Sequence, residues 1–308
     1  MKVYLDGQFI DAEDAKLSIF DAAVQHGVGL FETMHAYHGR VFQLDAHIAR
    51  LVHSAGELGL THRLKEKPLR EAVEMTLTKN KLTEGRQRLR LTVTGGDLAM
   101  LSAARAGKGA EAQQPTICIT PSEATVYPEG FFTEGVTVVI ADPKANPFDP
   151  TAGHKTINYW VRLRSLMQAA QAGAAEALWF SVTNHLAGGA VSNALLVKDE
   201  QLYTPIARGE EVSGSLPSAV LPGVTRAAVL ELAEELDLPV HRKMLTINDV
   251  LEADELMLTN TSWGILPVVR VEKETIGDGR LGKTTQQLYE ALLKKIGREC
   301  AADDAEPA

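Results

Sequence analysis

The chain has 308 residues, 45% apolar and 23% charged, and carries a net charge of −9. A chain of that length buries a substantial core without disulfides or metals, as one large domain or as two. The acidic balance argues against nucleic acid as the main partner and still allows a local basic pocket for a small anion. No run reaches the ~18 apolar residues of a membrane span. The start MKVYLDGQFIDAED has early acids and no signal-peptide core, so a cytoplasmic protein is expected.

In chain order, KVYLDGQFI places Asp6-Gly7 between apolar residues, a hairpin signal. LFETMHAYHGRVFQL reads as two strands joined at His38-Gly39. A helix follows in DAHIARLVHSAGELGL, where Ile48, Leu51, Ala55 and Leu58 recur at three- and four-residue steps. Asp45 is the expected N-cap, and Gly59 marks the helix end. A second helix is expected over 68–80, and RLRLTVTGG alternates as a strand with one buried face. The Ala/Gly-rich stretch 97–114 reads as a mobile loop. TICIT, with Cys118 expected to be buried, is the last strand before a linker at 122–134.

Beyond the linker, GVTVVIAD is a strand, and a proline-containing loop leads to GHKTINY. A helix is expected over 158–172, then strands in ALWFSV, ALLVKD and QLYTP. LPGVTRAAVLELAEELDL is a turn leading into a helix. TINDVLEAD is a short helix, ELMLTN a strand and GKTTQQLYEALLKKIG a closing helix, before the acidic tail AADDAEPA. Cys118 and Cys300 are the two cysteines and make neither a disulfide nor a metal-ligand pattern, so no metal is expected.

Lys155 follows a Pro/Gly-rich loop and stands just before a helix. Most lysines are solvated surface residues, but partial desolvation at such a junction frees an amine to attack a carbonyl. Three further places suit an anion. Gly223-Val224-Thr225 opens a helix, where backbone N–H groups and the helix dipole favour phosphate. Arg50 lies three residues after His47 on one helical face, and its planar fork suits phosphate. The polar loop TNTSWG, with Thr261 and Ser262, follows an apolar strand. Each alone has an ordinary structural explanation.

Their order along the chain is specific. GVGLFET, HIARL, RLRLTVTGG, HKTINY, SNALLVKD, LPGVTR and EADELMLTNTSWGILPV occur in the order and spacing of one family. The sequence resembles the fold-type IV, or class IV, pyridoxal-phosphate enzymes over nearly all of residues 1–297. That family includes branched-chain and D-amino-acid aminotransferases and 4-amino-4-deoxychorismate lyases. The resemblance implies an α/β (α+β) protein of two domains. A small N-terminal α/β domain would cover 1–121, and a larger, β-barrel-like cofactor-binding domain with helices would cover 135–297, leaving the tail at 298–308. It also implies pyridoxal 5′-phosphate as cofactor, amino-acid and keto-acid substrates, and a homodimer. Residue by residue, Lys155 matches the Schiff-base lysine, and Arg50 the phosphate-binding arginine. Val224 and Thr225 match the helix-start phosphate cup, Thr261 with Ser262 a second phosphate contact, and Tyr159 a tyrosine beside the cofactor's phenolic oxygen. Asn193 fits the family's asparagine before the following strand, and Phe31 and Arg90 lie on strands lining the substrate side.

One departure stands out. The family usually carries T-E-G-x-x-x-N where this chain has Ala187 to Asn193, so Gly188 falls at the glutamate that keeps the pyridine nitrogen protonated. No acid lies in register to replace it. Glu176 and Asp199 are elsewhere on the strands, and a cationic His185 would oppose ring protonation. The expected activity is amino-group transfer to an α-keto acid. A lyase releasing pyruvate from 4-amino-4-deoxychorismate and a catalytically impaired cofactor-binding relative are the alternatives.

Overall fold

A computed structural model describes residues 1–97 and 114–301. Its chain contacts separate two compact units, Met1–Thr125 with His154–Asn158 and Ile296–Ala308, and Val126–Gly153 with Tyr159–Lys295. Most of the expected loop at 97–114 lies outside the described residues.

The first unit contains β1 (Lys2–Leu5), β2 (Gln8–Asp11), α1 (Ala22–His26), β3 (Gly29–Tyr37), β4 (Arg40–Val41), α2 (Leu44–Glu57), α3 (Glu66–Lys79), β5 (Arg86–Thr94) and β6 (Ile117–Glu123). The strands form one sheet in the order β2-β1-β6-β5-β3-β4. Both expected hairpins form. Asp6 and Gly7 (φ 46° and 90°) and His38 and Gly39 (φ 51° and 77°) supply the paired positive φ angles of tight turns matched to strand twist. One sheet face carries Leu30, Met34, Leu89, Leu91 and Val93 against Ile48 and Leu51 of α2 and Val73 and Leu77 of α3. The two-residue strand period turns the alternate residues to the other face. Phe31, Thr33 and His35 lie there opposite Thr92, Arg90 and Arg88.

Two local expectations change. The N-cap of α2 is Gln43, at φ 54° and with no side-chain cap, so Asp45 lies inside the first turn. The tight reversal after β4, in which Phe42 N donates to His35 O, starts the helix two residues early. Asp45 instead pairs with Arg70 at 2.6 Å. Cys118 is half-buried rather than buried, because its register opposite Thr92 places it on the Phe31 face.

The second unit contains α4 (Gly130–Thr133), β7 (Val136–Ile140), α5 (Trp160–Gln171), β8 (Glu176–Phe180), β9 (Leu186–Gly189), β10 (Asn193–Lys198) and β11 (Gln201–Thr204). It continues with α6 (Val224–Glu235), β12 (Val240–Arg242), α7 (Ile247–Leu251), β13 (Glu255–Asn260), β14 (Gly264–Val271), β15 (Glu274–Thr275) and α8 (Lys283–Glu299). The strand path is β12-β11-β10-β13-β14-β7-β8-β9, with β15 added to β14. Val138, Leu178, Leu196, Leu256, Leu258 and Leu266 are among its core residues. Strands β9, β12, β14 and β15 were not legible as strands. β9 reads LAGG and has no apolar alternation, and β14 contains Pro267, which argues against an interior strand. Among the described residues no helix is long and apolar enough to cross a membrane, and no group of His, Cys, Asp or Glu could hold a metal ion.

Leu91, fully buried at the centre of β5, tests the first core. Leu91→Ala is expected to cost about 2–5 kcal/mol in urea unfolding.

Candidate active site

In the first unit, Lys155 is fixed through its backbone. Phe31 N donates to Lys155 O at 2.9 Å and Ile157 N to Gly29 O at 3.0 Å, and Leu30 and Thr156 form a bridge. This short stretch therefore pairs with β3. The Lys155 ammonium stands 4.6 Å from the centre of the Phe31 ring, and the Arg90 guanidinium lies 3.8 Å from the same ring. The structure thus gathers two of the expected residues, Lys155 and Arg90, around the ring of a third, Phe31. A ring beside an amine removes water from it while its quadrupole tolerates the positive charge.

Arg50 meets a carboxylate that the sequence reading did not single out. Its Nε donates to Glu32 Oε1 at 2.8 Å and its Nη2 to Glu32 Oε2 at 2.6 Å. His47 Nδ1 lies 2.8 Å from Glu32 Oε2. Glu32 and His47 are each 1% exposed. Burial alone would raise the Glu32 carboxyl, but the Arg50 charge and the His47 and Arg50 hydrogen bonds outweigh it and hold it at about 2. Burial pushes the His47 imidazole down. An ionised carboxylate only accepts, so neutral His47 carries its proton on Nδ1 and donates. The Arg50 fork is thereby locked in direction by a buried carboxylate, and its own charge balances that of Glu32.

In the second unit, the helix-start cup belongs to a connected set of loops. Val224 and Thr225 open α6, whose N-cap Gly223 provides no side-chain cap. The first amides of a helix lack partners within it, so this end suits an anion. Gly223 packs closely on Asn193, since a Cβ there would collide with Asn193 Oδ1 unless that side chain moved. Asn193 Nδ2 donates to Leu221 O at 2.8 Å, tying the cup to the start of β10. Asn260 Oδ1 accepts from Ser262 N at 2.8 Å and Trp263 N at 3.0 Å, shaping the turn that carries Thr261 and Ser262. Its Nδ2 reaches Val191 O at 3.3 Å.

Beneath these loops lies Glu176, fully buried. Its carboxylate accepts from Ala177 N at 2.8 Å, Ala190 N and Val191 N at 3.2 Å each, and Ser192 Oγ at 3.1 Å. Burial raises this carboxyl against the pull of those hydrogen bonds. Tyr159 occupies the N-cap position of α5. Arg162 on α5 lies 5.8 Å from the Tyr159 ring and donates to Ala190 O at 2.8 Å. Gly188 has φ +106°, and a Cβ there would approach Ser192 O to 2.7 Å. A side chain at 188 therefore needs a backbone shift. His185 is engaged with Thr183 Oγ1 at 3.0 Å in the β8–β9 turn.

The amino-transferase class IV family profile matches residues 29–271. A putative branched-chain-amino-acid aminotransferase of Methanocaldococcus jannaschii is 33% identical over 292 residues, covering 94% of both chains. A D-alanine aminotransferase of Bacillus licheniformis is 29% identical over 98% of this chain and 99% of its own. An aminodeoxychorismate lyase of Bacillus subtilis is 26% identical over 96% of each. The crystal structure of the Escherichia coli branched-chain amino acid aminotransferase superposes with a TM-score of 0.84 at 25% identity, over 99% of this chain and 97% of that one. The chain belongs to the class IV aminotransferase family, whose enzymes work with pyridoxal phosphate. Its residues suit that group: a backbone-fixed lysine beside an aromatic ring, and a helix start without a side-chain cap.

Glu32→Ala leaves the part-buried Arg50 and the buried His47 without their carboxylate and is expected to cost about 3–5 kcal/mol in denaturant unfolding. Because the folded Glu32 carboxyl is depressed to about 2 from 4.5, its contribution is complete above the unfolded value and is lost as pH falls from there through the folded one. The stability of Glu32→Gln should therefore vary less with pH in that acid range than that of the parent.

Proposed function

We propose that this protein transfers an amino group between an amino acid, of the branched-chain or D-amino-acid kind, and an α-keto acid. Lys155 is the attachment lysine for pyridoxal phosphate. Val224, Thr225, Thr261, Ser262 and Arg50 bind its phosphate, Asn193 and Tyr159 support its placement, and Phe31 and Arg90 face the substrate. The observation that carries this reading is the backbone-fixed Lys155, held against Phe31 with Arg90 on the same ring.

The bound cofactor supplies an electron sink for the charge left when the substrate's α-proton departs. Lys155 takes that proton at Nζ and returns it, as base and then acid. A phosphate fixed by the helix start and hydroxyls sets the orientation in which this transfer works. We further read the protein as a cytoplasmic homodimer. Ile19, Phe20 and Val24 of the first unit, 70%, 59% and 57% exposed, offer apolar surface that a second copy would cover.

A lyase releasing pyruvate from 4-amino-4-deoxychorismate is the second reading, supported by the Bacillus subtilis relative of that name. A catalytically impaired cofactor-binding relative is the third reading, supported by Gly188, which supplies no carboxylate and whose backbone leaves little room for one.

Steady-state kinetics with an amino donor and a keto acid should give a ping-pong pattern. Lys155→Ala should lower turnover by about 10²–10⁴-fold or more and remove the cofactor's protein-bound absorbance band. Pyruvate formed without any added keto acid would decide for the lyase. If neither reaction occurs and Lys155→Ala leaves the absorbance unchanged, the proposal fails. Gly188→Glu should lower the melting temperature, with Gly188→Ala reporting how much of that loss is backbone strain.

A further inference from the structure

The segment 207–220, between β11 and the α6 cup, touches both the cup's helix and the turn that leads to Lys155. Its Glu210 carboxylate accepts from Arg226 Nη1 and Nη2 at 2.8 Å each. Arg226 directly follows Thr225 in the first turn of α6 and is 2% exposed. Its Nε donates to Thr204 Oγ1 and its Nη2 to Pro205 O, each at 3.0 Å. Glu210 also accepts from Ala207 N at 2.8 Å and lies 3.4 Å from Arg242 Nε. Two residues back in the same segment, Arg208 Nη1 donates to Ala152 O at 3.1 Å. Gly153, at φ +80°, leaves its Cβ position 2.9 Å from Ser218 O and 3.0 Å from Arg208 Cδ, so the segment packs flush on this turn. Gly153 stands two residues before Lys155.

A buried guanidinium in the first turn of a helix is costly unless its charge is met. Glu210 meets it with two parallel hydrogen bonds, which fix direction as well as charge. Thr225 is the neighbouring residue, so a loosened Arg226 disturbs the amides that an anion needs.

The geometry points to Glu210 as a positioning residue for phosphate binding, acting through Arg226 on the first turn of α6, with Arg208 bracing the Ala152–Gly153 turn from the same segment. This rests on the proposal that Val224 and Thr225 bind the cofactor's phosphate. Glu210 touches neither cofactor nor substrate in that role. It sets the precision of the helix start.

The test titrates pyridoxal phosphate, and separately inorganic phosphate as a competitor, into the full-length chain and its variants. Binding is followed by cofactor absorbance and by the phosphorus-31 resonance. Glu210→Gln should weaken both ligands by about tenfold and shift the bound phosphorus resonance. Arg226→Lys keeps the charge but loses the fork, and should weaken them similarly. Glu210→Asp, which restores charge without full reach, should recover part of the loss. Glu211→Gln is the control. Glu211 accepts from Gly209 N at 2.6 Å and from Ser218 N within the segment, so it loosens the segment without touching Arg226 and should leave phosphate affinity unchanged. Equal losses in Glu211→Gln and Glu210→Gln would overturn the assignment, as would unchanged affinity and resonance in Glu210→Gln. If Glu210→Gln does not fold, Arg226→Lys carries the same decision. Failure of the parent chain to bind either ligand would instead sink the phosphate-cup proposal.

Discussion

The loops of the second unit depend on one buried carboxylate. Glu176 has no exposure and takes four hydrogen bonds, three of them from the turn 190–192. That turn delivers the chain from β9 into β10, and its Val191 O receives Asn260. Asn193, the first residue of β10, holds Leu221 in turn. The Thr261–Ser262 turn and the Val224–Thr225 helix start are therefore both referred to the turn that Glu176 closes. An acid in so dry a place is costly unless its oxygens are satisfied, and once satisfied it tolerates few alternative arrangements.

Glu32 does comparable work in the first unit. It sits on the sheet face that packs against α2, where an apolar residue would be ordinary, and takes hydrogen bonds from His47 and Arg50, one helical turn apart. The same strand turns the preceding residue, Phe31, to the opposite face, where Lys155 and Arg90 gather. The alternation of a single strand thus separates the residue that orients Arg50 from the one that shields Lys155. In both units an ordered polar group depends on a buried acid: Glu32 lies inside the GVGLFET motif, and Glu176 lies outside the quoted motifs.

Much of the fold was legible because it follows local rules. The hairpins at Asp6-Gly7 and His38-Gly39 need positive φ, and these residues accept it. The apolar spacing in α2 and the alternation in β5 match their buried faces. Legibility failed where tertiary contact overrode composition. β9 exists because β8 pairs with it, Trp179 opposite Gly188, although LAGG has little strand character of its own. β14 accommodates Pro267 opposite Met257 within a sheet that flanks it on both sides. Asp45 failed as a cap because the reversal after β4 fixed the start of α2 before the side chain could choose it. Glu32 and Glu176 did leave a trace, as single acids inside apolar runs, FET and AEALWF. Charged residues are seldom buried without partners, so an acid in such a run implies a partner elsewhere in the chain.

The sequence by itself determined the family, and it marked the lysine and the glycine and threonine of the helix start as candidates, because these follow from residue type and from order along the chain. Only the tertiary structure decided what each candidate touches. It gave Arg50 a carboxylate partner from β3, placed Lys155 on Phe31 through backbone pairing, and joined Glu210 to Arg226. It also showed that Gly188 occupies a backbone conformation that side chains rarely adopt. These are contacts between residues 16 to 124 positions apart, set by strand register and burial, and no local pattern encodes them.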